Sequence, residues 1–328
     1  MEQFQFGVVI ALAISIATTV NLTFFDIVSG QVLTASTRGL FNPQTGEISE
    51  EQIQEFLNAS AILGLDDAGR NCPGEIAIYV HGVWSSEEEA DEQTDRVNRS
   101  LRDSGYQVLL VGFSWDSNTE VSPEGWELAK EIANANGDKL AEFISSFKGV
   151  CPQDNVRIIA HSLGARVTLA ALQSLYDNTE WNNIKVTSVH LVGAAVDNEQ
   201  ISLNSEHCLS NSPPLPCSGQ AIESQVEEFF NLYNPEDNIL QSSYIDTEDD
   251  LALGHLGKEN RIPQPRNYNQ DNVILEIPPF RDADGNGQDN CFDTFIFIYG
   301  DNHCAYMGYR KTIWNNGAID VVVRDWTS

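Results

Sequence analysis

Basic residues, paired metal-binding cysteines and long apolar runs are what this 328-residue chain has least of. Lys and Arg total 18 against 48 Asp and Glu, a formal net charge of −30, and only six of the cations are lysines. A surface this acidic repels phosphate backbones and anionic membranes, which excludes a nucleic-acid binder. It fits a saline or extracellular setting, where salt screens the self-repulsion, with a merely acidic cytosolic protein as the alternative. The cysteines, Cys72, Cys151, Cys208, Cys217, Cys291 and Cys304, form no CxxC pair, so a zinc ribbon or thioredoxin-like site is not expected. Their even number suits disulfides and an oxidising compartment. The N-terminal apolar run, Val8 to Val20, is short for a membrane span, and Asn21 and Asp26 interrupt its extension. No Lys or Arg precedes Arg38, so the positively charged n-region of a signal peptide is missing. Residues 1–29 are nonetheless read as a signal peptide or weak membrane anchor, against the alternative of a first strand or helix. There is no internal repeat. With 41% hydrophobic residues, segment 30–328 is long enough for one large domain with a real core.

Within that domain the most informative stretch is VRIIAHSLGAR, residues 156–166. A β-branched apolar run, Val156 to Ile159, leads through Ala160-His161-Ser162-Leu163-Gly164 into a helix-forming segment. A serine on such a sharp strand-to-helix turn is held in a strained backbone with its hydroxyl presented outward, the nucleophile elbow of serine hydrolases. Small residues two before and two after the serine are steric requirements, and the first of them is Ala160 in place of glycine. An ordinary buried strand with a polar helix cap is the plainer alternative. Upstream, EIAIYVHGV (75–83) is a second apolar strand ending in His81-Gly82-Val83. There the backbone can turn an N–H into the site, so Val83 and Leu163 become the donors of a two-donor oxyanion hole.

The stretch from about 74 to 310 resembles the α/β-hydrolase superfamily, and YVHGVWSS, GFSWDS and IIAHSLGARV look like its lipase/esterase-like branch of serine hydrolases. The resemblance implies an α/β fold with a mostly parallel central sheet flanked by helices, here with long late insertions. It implies a serine nucleophile but no particular substrate. Strand patterns read at 75–81, 107–113, 156–161, 185–194, 226–233 and 292–299, and helical ones at about 86–104, 124–147 and 163–177. Residues 21–71 read as variable. Cys72-Pro73 and Cys151-Pro152 each precede strands that are parallel neighbours in this fold, which implies a Cys72–Cys151 bridge. Cys208 and Cys217 flank a short NSPPLP loop and are expected to pair locally, making 198–224 either a lid or a stapled surface loop. Cys291 and Cys304 bracket an apparent eight-residue strand about 26 Å long. A disulfide needs Cα atoms within about 7 Å, so that pair is not expected.

A serine hydroxyl needs a histidine to take its proton and a carboxylate to orient that histidine. The fold's order is Ser, acid, His. His303 follows the last apolar strand by a short turn and is the expected base; His255 is its rival. His81 and His161 belong to the oxyanion and elbow motifs, and His190 inside an apolar strand reads as a core residue. Asp237, in LYNPEDNIL after strand 226–233, is the favoured acid and Asp197 the alternative; either could be a turn residue. Asp116 in GFSWDS reads as structural support, and Trp115 beside it as a wall of the pocket.

Residues 282–293, DADGNGQDNCFD, follow the twelve-residue calcium-loop pattern. Asp282, Asp284 and Asn286 stand at positions 1, 3 and 5, Gly287 at the sharp turn, Gln288 at 7 and Asp293 at 12. Aspartate at 12 shortens the usual bidentate arm, and the alternative is an Asx-rich turn. The ion would be structural, and no organic cofactor is expected. The sequence therefore predicts an esterase or lipase-like serine hydrolase, acting on a small-molecule or lipid ester, with membrane contact only through the N-terminal segment. Rival readings are a non-catalytic binding protein on the same scaffold, or an acyltransferase or amidase with the same nucleophile.

Overall fold

The computed structural model describes residues 32–48, 57–66, 71–208, 213–277, 302–310 and 314–328, all within one compact unit, Val32–Ser328. Among the described residues its main sheet has seven strands, β1 (Leu33–Ser36), β2 (Glu75–Val80), β3 (Leu109–Ser114), β4 (Asn155–His161), β5 (Val186–Val192), β6 (Val226–Tyr233) and β7 (Tyr268–Asn272). They lie in the order β1-β3-β2-β4-β5-β6-β7, and every neighbouring pair is parallel. Central strands are apolar on both faces, as a sheet covered by helices on both sides requires; in β2, Ile76 to Val80 are fully buried.

Two separate apolar layers cover the sheet. The larger lies under α1 (Ala59–Leu63), α3 (Pro123–Val150) and α4 (Gly164–Asp177), with side chains such as Ile78, Phe113, Ile132, Phe143 and Leu169. The smaller lies under α2 (Glu87–Asp103) and the C-terminal helix Ile319–Trp326, with Tyr79, Val97, Ile159, Tyr306 and Val322. Helix α2 starts in a capping box: Ser86 accepts from the Glu89 N–H, and the Glu89 carboxylate accepts from the Ser86 N–H. This and the acidic first turn complement the positive end of the helix. Helices α3 and α4 approach closely because Gly137 has no side chain: a Cβ there would stand 2.4 Å from that of Ala170.

From the exit of β2 the chain moves to the α2 face, and from the exit of β4 to the α4 face. The two strands are adjacent, so their ends form the switch point at which open α/β sheets bind ligands. Five of the strands read from the sequence are present. Strands β1 and β7 were not foreseen, and the pattern at 292–299 lies outside the described residues. The missed strands are edges: β7, Tyr-Asn-Gln-Asp-Asn, buries only its tyrosine fully, so it carries no hydrophobic alternation.

Cys72–Cys151 and Cys208–Cys217 are disulfides with Cα atoms 5.7 and 5.4 Å apart. Cys304 is disulfide-bonded as well, against the expectation drawn from an extended run into it. At Cys304 the backbone is a 3₁₀ turn, Asn302–Met307, and not the end of a strand. Among the described residues no helix is long and apolar enough to cross a membrane.

Candidate active site

Ser162 sits between β4 and α4 with φ +54°, a left-handed conformation rare for a non-glycine residue. Hydrogen bonds hold it there: its N–H donates to Val192 O at 3.2 Å, and its carbonyl accepts from the Ala195 N–H at 3.1 Å. The small residues around it are needed. A Cβ on Gly164 would lie 2.4 Å from Val80 O, and one on Gly82 would lie 2.8 Å from Ser162 Cβ. Gly82 therefore packs directly on the serine, and the next residue, Val83, stands beside it. Among the described residues neither the Val83 nor the Leu163 N–H has a protein acceptor. Helix α4 has no side-chain cap on Leu163, so its positive end opens beside Ser162. Trp84, after Val83, also has φ +54°, with its N–H bonded to Ser117 O at 2.7 Å.

Across the site, His303 Nδ1 lies 2.7 Å from Asp237 Oδ2, both side chains being almost wholly buried. Asp237 follows β6 in a turn closed by its own N–H to Asn234 O. Its Oδ2 also accepts from the Tyr306 hydroxyl at 3.1 Å and its Oδ1 from the Leu240 N–H at 3.0 Å. A carboxylate with these donors is fixed in orientation and holds the proton of His303 on Nδ1. Burial first, and the neighbouring Asp237 carboxylate second, push the Tyr306 phenol well above its ordinary value, so it stays a donor. Asn302 joins the two turns, donating to Glu236 O and accepting from the Asn238 N–H.

His161 serves the same assembly. Its Nε2 is 2.8 Å from His303 O, and the two rings stand 4.8 Å apart. A carbonyl accepts only, so Nε2 carries the proton. Burial drives the His161 pKa well below 6.5, and the adjacent His303 adds to that. The elbow thus holds the backbone of the histidine opposite it, a contact no sequence pattern announced.

The other sequence candidates lie apart from this pair. His255 Nε2 bonds Pro235 O at 3.1 Å and meets no carboxylate among the described residues. Asp197 accepts from the Tyr244 hydroxyl at 2.6 Å. His190 is a core residue, taking the Trp326 indole N–H on Nδ1 and facing Asp325 with Nε2, each at 3.3 Å. Asp116 is structural, accepting from the N–H groups of Gly39 and Phe41. Trp115 does not wall a pocket: it is fully buried, lies parallel to the His81 ring at 5.6 Å, and donates its indole N–H to His81 O.

In the 198–224 excursion the described residues pack on the body, where Arg166 and Asn134 donate to the carbonyls of Pro213 and Pro214. The calcium-loop residues Asp282, Asp284, Asn286, Gln288 and Asp293, and the N-terminal segment 1–29, lie outside the described residues. Among the described residues the one tight group of metal-binding types is Cys72, Cys151 and Asp154, and the disulfide already takes both sulfurs.

The sequence profile of a family described as an alpha/beta hydrolase of unknown function (DUF900) matches residues 66–280. No curated protein matches the chain. Similar solved structures include a lipase-esterase related protein from Clostridium acetobutylicum, 12% identical over 78% of this chain and 94% of that one, with a TM-score of 0.33. An α/β serine hydrolase without a lid from Xanthomonas campestris is 13% identical over 61% of this chain and 72% of its own, with a TM-score of 0.30. A Trichoderma reesei cutinase, solved with a phosphonate inhibitor, is 17% identical over 42% and 59%, with a TM-score of 0.24.

Proposed function

The chain belongs to this α/β-hydrolase family of unknown function, and from that premise we propose that it is a serine hydrolase cleaving a neutral carboxylic ester. The observation that carries the reading is the 2.7 Å bond between His303 Nδ1 and Asp237 Oδ2, on the same sheet edge as a serine held at φ +54°. A proton fixed on Nδ1 leaves Nε2 as the basic nitrogen, the tautomer a general base requires.

In this mechanism His303 Nε2 takes the proton of Ser162 Oγ as the oxygen attacks the ester carbonyl. The carbonyl oxygen becomes an oxyanion, which the N–H groups of Val83 and Leu163 stabilise; preorganised donors of this kind commonly supply the largest catalytic contribution. His303 then gives the proton to the leaving alkoxide, and the alcohol departs from the acyl-enzyme. Water, deprotonated by the same nitrogen, attacks the acyl carbon and releases the acid. Asp237 holds the imidazole throughout and stabilises its charged form. The net charge of −30 disfavours anionic substrates and anionic lipid surfaces, hence a neutral ester. The disulfides, Cys72–Cys151 and Cys208–Cys217 among them, favour an oxidising, extracellular site of action.

Fluorophosphonate labelling with peptide mapping tests the reading. Label on Ser162 that vanishes in His303→Ala and persists in His255→Ala is the expected result. No label on the folded wild type would transfer the chain to the binding-protein class. Products formed with added alcohol separate hydrolysis from acyl transfer.

A further inference from the structure

Residue 38 lies outside the span matched by the family profile, in a segment that the sequence left as variable, yet its side chain reaches the back of the loop that follows β2. The half-buried Arg38 guanidinium makes four polar contacts there. Its Nε donates to Ser114 Oγ at 2.7 Å, at the end of β3. Its Nη2 lies 3.3 Å from His81 Nε2 and 3.0 and 3.1 Å from the carbonyl oxygens of Ser85 and Ser86. The loop backbone that follows Arg38 is itself fixed, because Asp116 accepts from the N–H groups of Gly39 and Phe41.

The protonation of His81 follows from its partners. The Trp115 backbone N–H can only donate, and it points at His81 Nε2 from 3.1 Å, with the Arg38 guanidinium as a second donor. Nε2 is therefore the bare nitrogen, and Nδ1, 2.8 Å from Gly82 O, carries the hydrogen and donates it to that carbonyl. Burial, reinforced by the Arg38 charge, keeps the ring neutral, with its pKa pushed down to about 3. The consequence lies in the peptide plane. Gly82 C=O and Val83 N–H belong to one trans peptide and point in opposite directions, so a donor that fixes the first aims the second.

Downstream of that peptide stands Trp84 at φ +54°, a conformation a bulky residue holds only where its surroundings over-determine it. Ser117 O and the Arg38 contacts to Ser85 and Ser86 supply that constraint. The Gly82–Val83 peptide is thus held on one side by His81 and on the other by the clamped 85–86 backbone. One guanidinium serves both.

We infer that Arg38 is a positioning residue for the reaction: through His81 and the carbonyls of Ser85 and Ser86 it orients the Val83 N–H that receives the oxyanion. The inference rests on the serine-hydrolase reading for its catalytic consequence and on the contacts above for its physical basis.

The test compares wild type, Arg38→Ala, Arg38→Lys and Ser162→Ala on p-nitrophenyl acetate, with amide hydrogen exchange of the 82–86 segment measured in parallel. Arg38→Ala is expected to lower kcat roughly 10- to 100-fold, less than the loss of a whole oxyanion donor, with KM within about twofold. Guanidinium added at about tens of millimolar should restore much of it, which relief of a general folding defect would not do. Exchange should accelerate in 82–86 and stay unchanged in 161–165. Arg38→Lys, with a point charge in place of a fork, should fall between the two and carries the test if the alanine variant does not fold. An unchanged kcat, or a loss that follows unfolding and ignores guanidinium, overturns the inference. Full turnover by Ser162→Ala would instead overturn the hydrolase reading, while the exchange result still decides whether Arg38 holds the loop.

Discussion

The two halves of the candidate site are built differently. On one side, the exits of β2 and β4 present backbone: Gly82, Val83, Ser162 and Leu163, set by short-range sterics and by glycines whose extra carbon would collide. On the other, the exit of β6 and the turn Asn302–Met307 present side chains: Asp237, His303, Tyr306 and Asn302, brought together over more than 60 residues of chain. The first half tolerates almost no change of residue size. The second depends on hydrogen bonds that can be removed one at a time, so the two halves should fail in different ways.

The largest contrast lies between the two carboxylates. Asp237→Asn should cost about 10³- to 10⁴-fold in kcat, because an amide can present its N–H to His303 and favour the wrong tautomer. Asp197→Asn should change kcat less than about threefold while lowering Tm, since it disturbs only the buried bond to Tyr244. Equal losses would erase the distinction between acid and support. On the backbone side, Gly82→Ala places a methyl 2.8 Å from Ser162 Cβ and should abolish fluorophosphonate labelling in a protein that still folds. Labelling at the wild-type rate would mean that the loop yields easily.

A smaller effect is expected of Tyr306→Phe. It removes one of the donors to Asp237 and should cost about 1 kcal/mol of stability, by urea titration, and severalfold in kcat. Acid sensitivity tests both halves together. Burial first, with nearby cationic groups, holds His81 and His161 below the 6.5 of a free imidazole. The unfolded chain takes up protons that the native one refuses, so this stability is present above about pH 6.5 and is lost as pH falls toward the native values. Glu199 acts with the opposite sign, its carboxyl raised to about 7 by burial and by the neighbouring Asp250 and Asp197. It favours the native state as pH falls from about 7 toward 4.5. Glu199→Gln should therefore steepen the fall in Tm between pH 7 and pH 5; an unchanged profile removes Glu199 from the balance. The least effect is reserved for chelation: the calcium-loop pattern at 282–293 predicts a lower Tm in EGTA that added calcium restores, and an unmoved Tm rejects the loop.

The same division explains what the sequence made legible. The elbow and the loop after β2 are local patterns, and an apolar strand running into Ala-His-Ser-Leu-Gly can be read from a few residues. The Asp237–His303 pairing was reachable only through the order of elements in the fold. Tyr306, Asn302 and the His161 bond to His303 O were not reachable at all, because nothing in their own neighbourhoods marks which distant atom they meet. Arg38 was hidden for a related reason: it follows a four-residue edge strand, Leu-Thr-Ala-Ser, too short and too polar to announce itself. Trp115 misled because an aromatic in a motif beside the site suggests a pocket wall, whereas its indole is spent on the back of His81.

The Cys72–Cys151 bridge joins the chain just before β2 to the chain just before β4, at the end of the sheet away from Ser162. The two strands then run in step, Glu75 opposite Asn155 through to Val80 opposite Ala160. A slip of one residue would carry Val83 about 3.3 Å along the serine strand, farther than a hydrogen bond can stretch. The crosslink therefore works as a common origin from which both strands are measured out. The spacing between Val83 and Ser162 is set eleven residues back along each strand, at the opposite end of the sheet.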